Sequence, residues 1–191
     1  EKPVRRLIHV SSTAVYGTSE SPVLPGDPPR PITAYGISKL RGERMLERLS
    51  DVLELYIIRC GNVYGYSPSM RFDAVINRFL FDAHFKGRVI IEGSGEQRRA
   101  FVHIQHVAEA LAGLLKKGPA PGLYHLVERN HSIQEIIRVI RELIPEVESI
   151  SVDQELPRRS LIVAPDPRLS PWGDPPDLVK QLQNFRSHFA F

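Results

Sequence analysis

Two apolar runs that break off abruptly into small polar residues constrain the fold of this chain more than any other feature. The first is Leu7-Ile8-His9-Val10, followed by Ser11-Ser12-Thr13. The second is Leu55-Tyr56-Ile57-Ile58, followed by Arg59-Cys60-Gly61-Asn62. Runs this short and this apolar predict strands buried on both faces, as in a parallel sheet. Parallel neighbours need a crossover between them. The stretch Ile32–Leu49 supplies one: Ile37, Leu40, Leu46 and Leu49 mark an apolar face, which Gly36 and Gly42 weaken locally. In such sheets the C-terminal strand ends open into the ligand crevice. That is where the hydroxyl cluster and the Gly61-Asn62 step fall.

The rest of the chain keeps alternating. Pro22 to Pro31 contains five prolines and is expected as a loop. A helix is expected over Phe72–Phe85 with Val75, Ile76, Phe79 and Leu80 inward, then a strand over Val89–Glu92 and a turn over Gly93–Glu96. A strand over Arg99–Ile104 leads into a helix from about Gln105 to Lys116, and Leu123–Val127 follows as a strand. Ser132-Ile133-Gln134-Glu135 has the form of a capping box. It opens an amphipathic helix carrying Ile133, Ile136, Ile137, Ile140 and Ile144. Ser149–Val152 is expected as an edge strand, Pro165–Pro176 as irregular, and Asp177–Phe189 as a last helix. Strands alternating with helices predict an α/β fold.

Composition removes several classes of function. With 191 residues, 42% hydrophobic and 25% charged, the chain can bury a sizeable core. No apolar run approaches the ~20 residues that span a bilayer, so no membrane partner is expected. The single cysteine, Cys60, excludes an internal disulfide framework and fits a reducing, cytoplasmic setting. Its apolar strand end predicts a buried, inert thiol. The net charge of +3 is mostly an excess of arginine, which suits phosphate through its planar fork. The arginines are scattered, with pairs such as Arg5-Arg6 and Arg158-Arg159 read as solvated surface, so no nucleic-acid partner is expected. His103 and His106 form an H-x-x-H pair without a third ligand, and no metal is expected.

Tyr35 and Lys39 carry the chemistry. Four residues apart on a helix, they share a face. An ammonium beside a phenol stabilises the phenolate and so makes a tyrosine usable for proton transfer. In isolation the same pair also describes a tyrosine ring packed on a lysine stem. Likewise the hydroxyls after Val10 also suit strand-end caps, and Asn62 also suits a turn.

Strand, hydroxyls, Ala34-Tyr35-Gly36-Ile37-Ser38-Lys39, strand and Asn62-Val63-Tyr64-Gly65 together resemble the extended short-chain dehydrogenase/reductases. More closely, the chain is similar to the NAD-dependent epimerase/dehydratase family from about Val4 to its C-terminus. The resemblance implies the C-terminal part of a Rossmann-like doubly wound parallel sheet plus a small α/β substrate-binding lobe. Residues 1–66 would form a partial Rossmann-like catalytic segment. Residues 67–191 would be mainly the lobe, with about 99–116 returning to the Rossmann core.

By that resemblance Tyr35 is the acid/base, Lys39 lowers its pKa and contacts the cofactor ribose, and Ser12 holds the reacting oxygen. Counting back from Val15-Tyr16-Gly17 selects Ser12 rather than Thr13. Gly61 falls beside the nicotinamide of a bound NAD or NADP. Asn62 touches the nucleotide-sugar substrate, and Arg99 grips its diphosphate. The family pattern is departed from at Ala100, where an aspartate is usual, and at Gln105-His106, where two acids are common. Members that dehydrate or decarboxylate the sugar place acid/base groups where this chain has Thr13 and Ala14. Ala14 cannot transfer a proton, so epimerase or reductase chemistry is expected. Helix 32–49 would allow a homodimer.

The glycine-rich dinucleotide fingerprint of the family, G-x-G-x-x-G or G-x-x-G-x-x-G, does not occur in this sequence. The chain is therefore expected to be the C-terminal portion of a longer enzyme and inactive by itself. The rival expectation is a truncated relative acting as a nucleotide-sugar binding or interaction module.

Overall fold

Along the chain the elements run β1 (Arg6–Ser12), a 3-10 turn (Thr13–Tyr16), β2 (Ser19–Val23), α1 (Ala34–Glu47), β3 (Glu54–Cys60), β4 (Asn62–Tyr64), α2 (Val75–Lys86), β5 (Arg88–Glu92), β6 (Arg98–His103), α3 (Ile104–Lys116), β7 (Gly122–Leu126), β8 (Arg129–Ser132), α4 (Ile133–Leu143), β9 (Glu148–Val152), β10 (Leu161–Val163) and α5 (Leu178–Ser187). The computed structural model describes residues 4–116, 118–152, 160–169 and 175–189. Arg158-Arg159 and part of the Pro165–Pro176 stretch lie outside the described residues.

β1, β3 and β7 form a parallel sheet with β3 in the middle. Every residue of β3 from Leu55 to Cys60 is buried, as a strand covered on both faces must be. Its side chains alternate between two helices. Tyr56, Ile58 and Cys60 meet Val107, Ala110 and Leu114 of α3. Arg59 turns the other way, to α1. The register sets Ser12 opposite Cys60 and Cys60 opposite Leu126, so the three strands end level at one edge.

β4 and β6 pair in parallel, and β6 pairs antiparallel with β8. Behind them α2, α4 and α5 close the largest apolar cluster, which includes Ile76, Leu80, Ile136, Ile140, Leu182 and Phe185. The capping box at Ser132 is present in full: its side chain accepts from the Glu135 N–H while the Glu135 carboxylate accepts from the Ser132 N–H. The isoleucine stripe of α4 faces inward as its spacing predicts. β5 pairs with β9 and β2 with β10, both in parallel.

Two expectations change. Pro22 belongs to strand β2 rather than opening a loop, because β10 arrives from far along the chain to pair with it. Such an edge tolerates a proline. The inward stripe of α1 is Gly36, Leu40 and Glu43, while Ile37 and Leu49 face solvent. A buried carboxylate sits where apolar periodicity points to none, for the reason given in the next subsection.

Ile136, fully buried, is the test of this largest cluster. Ile136→Ala should lower unfolding stability by about 2–5 kcal/mol, the usual cost of emptying such a site. Urea titration followed by circular dichroism measures it.

Candidate active site

Ser12 closes β1, and its Oγ accepts from the Ala14 N–H at 3.1 Å, which starts the 3-10 turn. This is the strand-end cap that hydroxyls there favour. Accepting with its oxygen leaves the hydroxyl proton able to donate. Thr13 beside it is buried, whereas Ser12 stays half-exposed.

Thr33 starts α1 in the same way, its Oγ1 accepting from the Gly36 N–H at 3.0 Å. A Cβ at Gly36 would lie 2.5 Å from the Ala14 carbonyl oxygen. Only glycine therefore lets the first turn of α1 press against the turn that follows Ser12. That contact brings Tyr35, the residue before Gly36, to the Ser12 end of the sheet. Tyr35 is 53% exposed, so its ring faces the open side. Lys39 reaches back from the next turn. Its Nζ donates to the Val10 carbonyl at 3.1 Å and lies 5.7 Å from the centre of the Tyr35 ring, within cation–π range. Arg71, ion-paired with Asp73 on an exposed loop, has Tyr35 within electrostatic reach.

Gly61 follows β3 at the same edge, its N–H donating to the Leu126 carbonyl at 3.0 Å. A Cβ there would lie 2.9 Å from the Ala100 carbonyl oxygen, so glycine lets the strand end meet β6. Asn62 Nδ2 donates to that same carbonyl at 2.9 Å, and Asn62 is exposed. Arg99, one residue before Ala100, donates from Nη1 to the Arg98 carbonyl at 3.2 Å. Burial of its guanidinium pulls its pKa below the ordinary arginine value. Ser12, Tyr35 and Lys39 thus share one patch, Gly61 and Asn62 border it through β3, and β6 ties Arg99 to Asn62 through Ala100.

The side chains around this patch explain its neighbours. Cys60 is buried, and that burial pushes its thiol up to about 12. His103 ends β6, and its Nδ1 accepts from the Gln105 N–H at 3.3 Å. His106 pairs with the fully buried Glu128, which also accepts from the His103 N–H at 2.7 Å. Among the described residues no three His, Cys, Asp or Glu side chains converge as a metal site.

Sequence reasoning missed the polar chain beneath the patch. Glu43, fully buried on α1, binds Arg59 of β3 through two parallel contacts: Nη2 to Oε2 at 2.6 Å and Nε to Oε1 at 3.0 Å. The Ser11 hydroxyl also donates to Glu43. Arg59 Nη1 donates to the Tyr16 hydroxyl at 2.6 Å, and that hydroxyl lies 2.6 Å from His125 Nε2. His125 Nδ1 lies 3.1 Å from the Ala164 carbonyl. A carbonyl only accepts, so Nδ1 carries the proton and Nε2 accepts from Tyr16. The only local signal was Glu43 standing one turn beyond Lys39, and a glutamate on a helix ordinarily means solvent.

A family model described as the NAD dependent epimerase/dehydratase family matches residues 1–126. The chain belongs to that family. It is 28% identical over 159 residues to human dTDP-D-glucose 4,6-dehydratase, covering 82% of this chain and 44% of that enzyme. It is 31% identical over 129 residues to dTDP-4-dehydro-6-deoxy-D-allose reductase of Streptomyces bikiniensis, covering 64% of this chain and 39% of the reductase. Among solved structures, MoeE5 in complex with UDP-glucose and NAD superposes with a TM-score of 0.81 at 26% identity, covering 96% of this chain and 64% of MoeE5. The chain therefore spans less than half the length of these curated relatives. The family assignment carries the Rossmann-like α/β fold with it. No helix among the described residues is long and apolar enough to cross a membrane.

His125 makes the fold pH-sensitive. Burial holds its pKa below the ordinary histidine value, and the Arg59 charge acts the same way, against the Ala164 hydrogen bond. His9 and His103 are lowered too, burial again being the largest cause. The unfolded chain, with histidine near ~6.5, binds protons before the folded one does. Stability is therefore full above ~6.5 and falls as the pH drops from there toward the depressed folded values. Urea midpoints should be lower at about pH 5.5 than at about pH 7.5, and His125→Asn should shrink the difference.

Proposed function

We propose that this chain supplies the proton-transfer residues and the nucleotide-sugar lobe of an NAD(P)-dependent sugar-nucleotide epimerase or reductase. The observation that carries this reading is the close contact of Gly36 with Ala14, which sets Tyr35 and Lys39 at the Ser12 end of the parallel sheet. Tyr35, as phenolate, takes the proton of a sugar hydroxyl. Ser12 donates to the oxygen as it becomes a carbonyl, and the Lys39 ammonium balances the charge. A nicotinamide cofactor held at Lys39, Tyr35 and Gly61 would supply the hydride acceptor and donor that this exchange needs. Lys39 and Tyr35 suit the nicotinamide-ribose end of such a cofactor: an ammonium and a hydroxyl stand where parallel strands end, beside the small Gly61. The glycine-rich turn that cradles a pyrophosphate belongs, on this proposal, to residues outside this chain; residues 1–66 form the catalytic segment, and 67–191 are mainly the substrate lobe, with about 99–116 returning to the Rossmann core.

The nucleotide-sugar class is supported by MoeE5, whose complex holds UDP-glucose and NAD. Asn62 and Arg99 are the residues proposed to hold such a substrate. A half-buried guanidinium is worth most against a diphosphate, because burial leaves its charge poorly solvated. Ala14 argues against elimination: no side chain at that position can move a proton, whatever dehydratases are among the relatives. The outer face of α1, with Ile37 and the 70% exposed Met45, is the proposed homodimer surface. The setting is cytoplasmic.

Calorimetry of the chain with UDP-glucose should show binding. Arg99→Ala should weaken it about 10-fold or more, the loss of a charge-assisted grip, and Tyr35→Phe should leave it nearly unchanged. NAD should bind weakly or not at all; micromolar NAD affinity would refute the placement of the pyrophosphate cradle outside this chain.

Once joined to a glycine-rich half, the protein should turn over, and Tyr35→Phe should lower kcat by about 10²–10⁴-fold. Wild-type turnover by Tyr35→Phe would remove Tyr35 as the proton carrier. Sugar-nucleotide binding without any turnover would make the chain a binding module instead.

A further inference from the structure

The seat of α1 poses a physical problem. The helix carries Tyr35 and Lys39, yet its buried residues are Gly36, Leu40 and Glu43. One leucine is the only large apolar side chain among them, and apolar contact is non-directional. It does not fix how far the helix is rotated or slid along the sheet. Something directional must do so.

Glu43 stands one turn beyond Lys39 and two beyond Tyr35. Its carboxylate is fully buried and accepts three hydrogen bonds from two different strands. On β3 the planar fork of Arg59 meets it with two contacts, at 2.6 and 3.0 Å. On β1 it accepts from Ser11, the residue directly before Ser12. Arg59 is itself fixed by the Tyr16 hydroxyl at 2.6 Å, which belongs to the 3-10 turn that Ser12 opens. The Ser12 segment is thus tied to α1 from both sides of Ser12: by Ser11 directly and by Tyr16 through Arg59. A bidentate pair tolerates little rotation, so each tie is a geometric restraint.

We propose that Glu43 is a positioning residue: with Arg59 it locks the rotation of α1 so that Tyr35 and Lys39 face the Ser12 strand end. It touches neither substrate nor cofactor. The proposal rests on the reading of Tyr35, Lys39 and Ser12 as the reacting patch, and it adds a residue to which no chemistry is otherwise assigned.

A merely structural ion pair can be replaced by apolar residues of similar volume without loss of stability, often with a gain. A positioning pair cannot be replaced in that way, because the replacement restores packing but not direction. The experiment is therefore the double variant Glu43→Leu with Arg59→Met, beside Glu43→Gln, all in the chain as it is. Two readouts are taken by NMR. The first is the cross-relaxation between the Lys39 ε-methylene and Val10, whose carbonyl Lys39 reaches at 3.1 Å. The second is cross-relaxation from the Tyr35 ring to the hexose protons of added UDP-glucose.

The double variant should unfold at a urea concentration at or above that of Glu43→Gln and keep a dispersed spectrum. The Lys39–Val10 signal should nonetheless be lost, together with the Tyr35–hexose signal, while the UDP-glucose dissociation constant stays within about 3-fold of wild type. If the folded double variant keeps the Lys39–Val10 signal, the pair only fills space and the proposal is overturned. If the double variant does not fold, the same signal is read in Ser11→Ala, which cuts one tie and leaves the ion pair whole; an unchanged signal there overturns the proposal. If wild type fails to bind UDP-glucose, the proposed substrate class falls by itself, and the Lys39–Val10 signal still decides whether Glu43 sets the helix.

Discussion

A carboxylate with no solvent exposure, Glu43, is the constraint on which the rest of the structure turns. Bringing a charge out of water costs several kcal/mol even after relaxation, and the cost is met only by a well-formed partner of opposite charge with further hydrogen bonds. Arg59 and Ser11 meet that condition here. They can do so only if β1, β3 and α1 stand in one relative arrangement. Removing either member would strand the other, at about 3–5 kcal/mol. The pair therefore selects among packings more than it adds net stability, and the packing it selects sets Ser12, Tyr35 and Lys39 at one sheet edge.

Glycine completes what the ion pair begins. At Gly36 the helix approaches the turn after Ser12 so closely that a methyl group would meet a carbonyl oxygen, and Gly61 allows the same approach between β3 and β6. These are the seams across which the candidate residues come together. Substituting alanine at either would push two elements apart exactly where Tyr35, or Asn62, takes its position. Caps fix the remaining freedom: Ser12 and Thr33 each bind a backbone N–H of the segment they open. The patch is placed by the buried ion pair, by backbone contacts and by two side-chain oxygens, which lets it stay open to solvent.

The strand runs were legible because a buried parallel strand leaves a continuous apolar stretch, and α4 because a strong isoleucine stripe follows a capping box. The Tyr35–Lys39 pairing was legible because four-residue spacing on a helix maps directly onto space, whereas Ser12 was singled out through the family pattern and its role is proposed. What local pattern could not reveal was partnership between distant segments. β2 exists because β10 pairs with it, and Pro22 alone argues for a loop. The inward stripe of α1 was misassigned to Ile37 and Leu49 because apolar spacing assumes that the core is apolar, and here the core-facing position belongs to Glu43. Arg59 was hidden for the same reason. It ends an apolar strand, where an arginine is ordinarily taken as the point at which the strand emerges into water.

The buried polar chain also separates two kinds of work within one small volume. Glu43, Arg59, Tyr16 and His125 are buried and hydrogen-bonded to one another, with the histidine held neutral by burial. The chain therefore serves as support. Cys60 lies next to Ser12 across the strands, and its thiol, pushed up to about 12 by burial, is no nucleophile near neutral pH. On the proposed function, proton transfer at this edge falls to the hydroxyls of Ser12 and Tyr35, with Lys39 beside them. Ala14, at the turn between them, adds nothing that could carry a second proton. The proposed single proton-transfer centre would suit taking a hydroxyl proton and giving it back, which is what epimerisation or ketone reduction requires. Elimination across a neighbouring carbon–carbon bond requires a second.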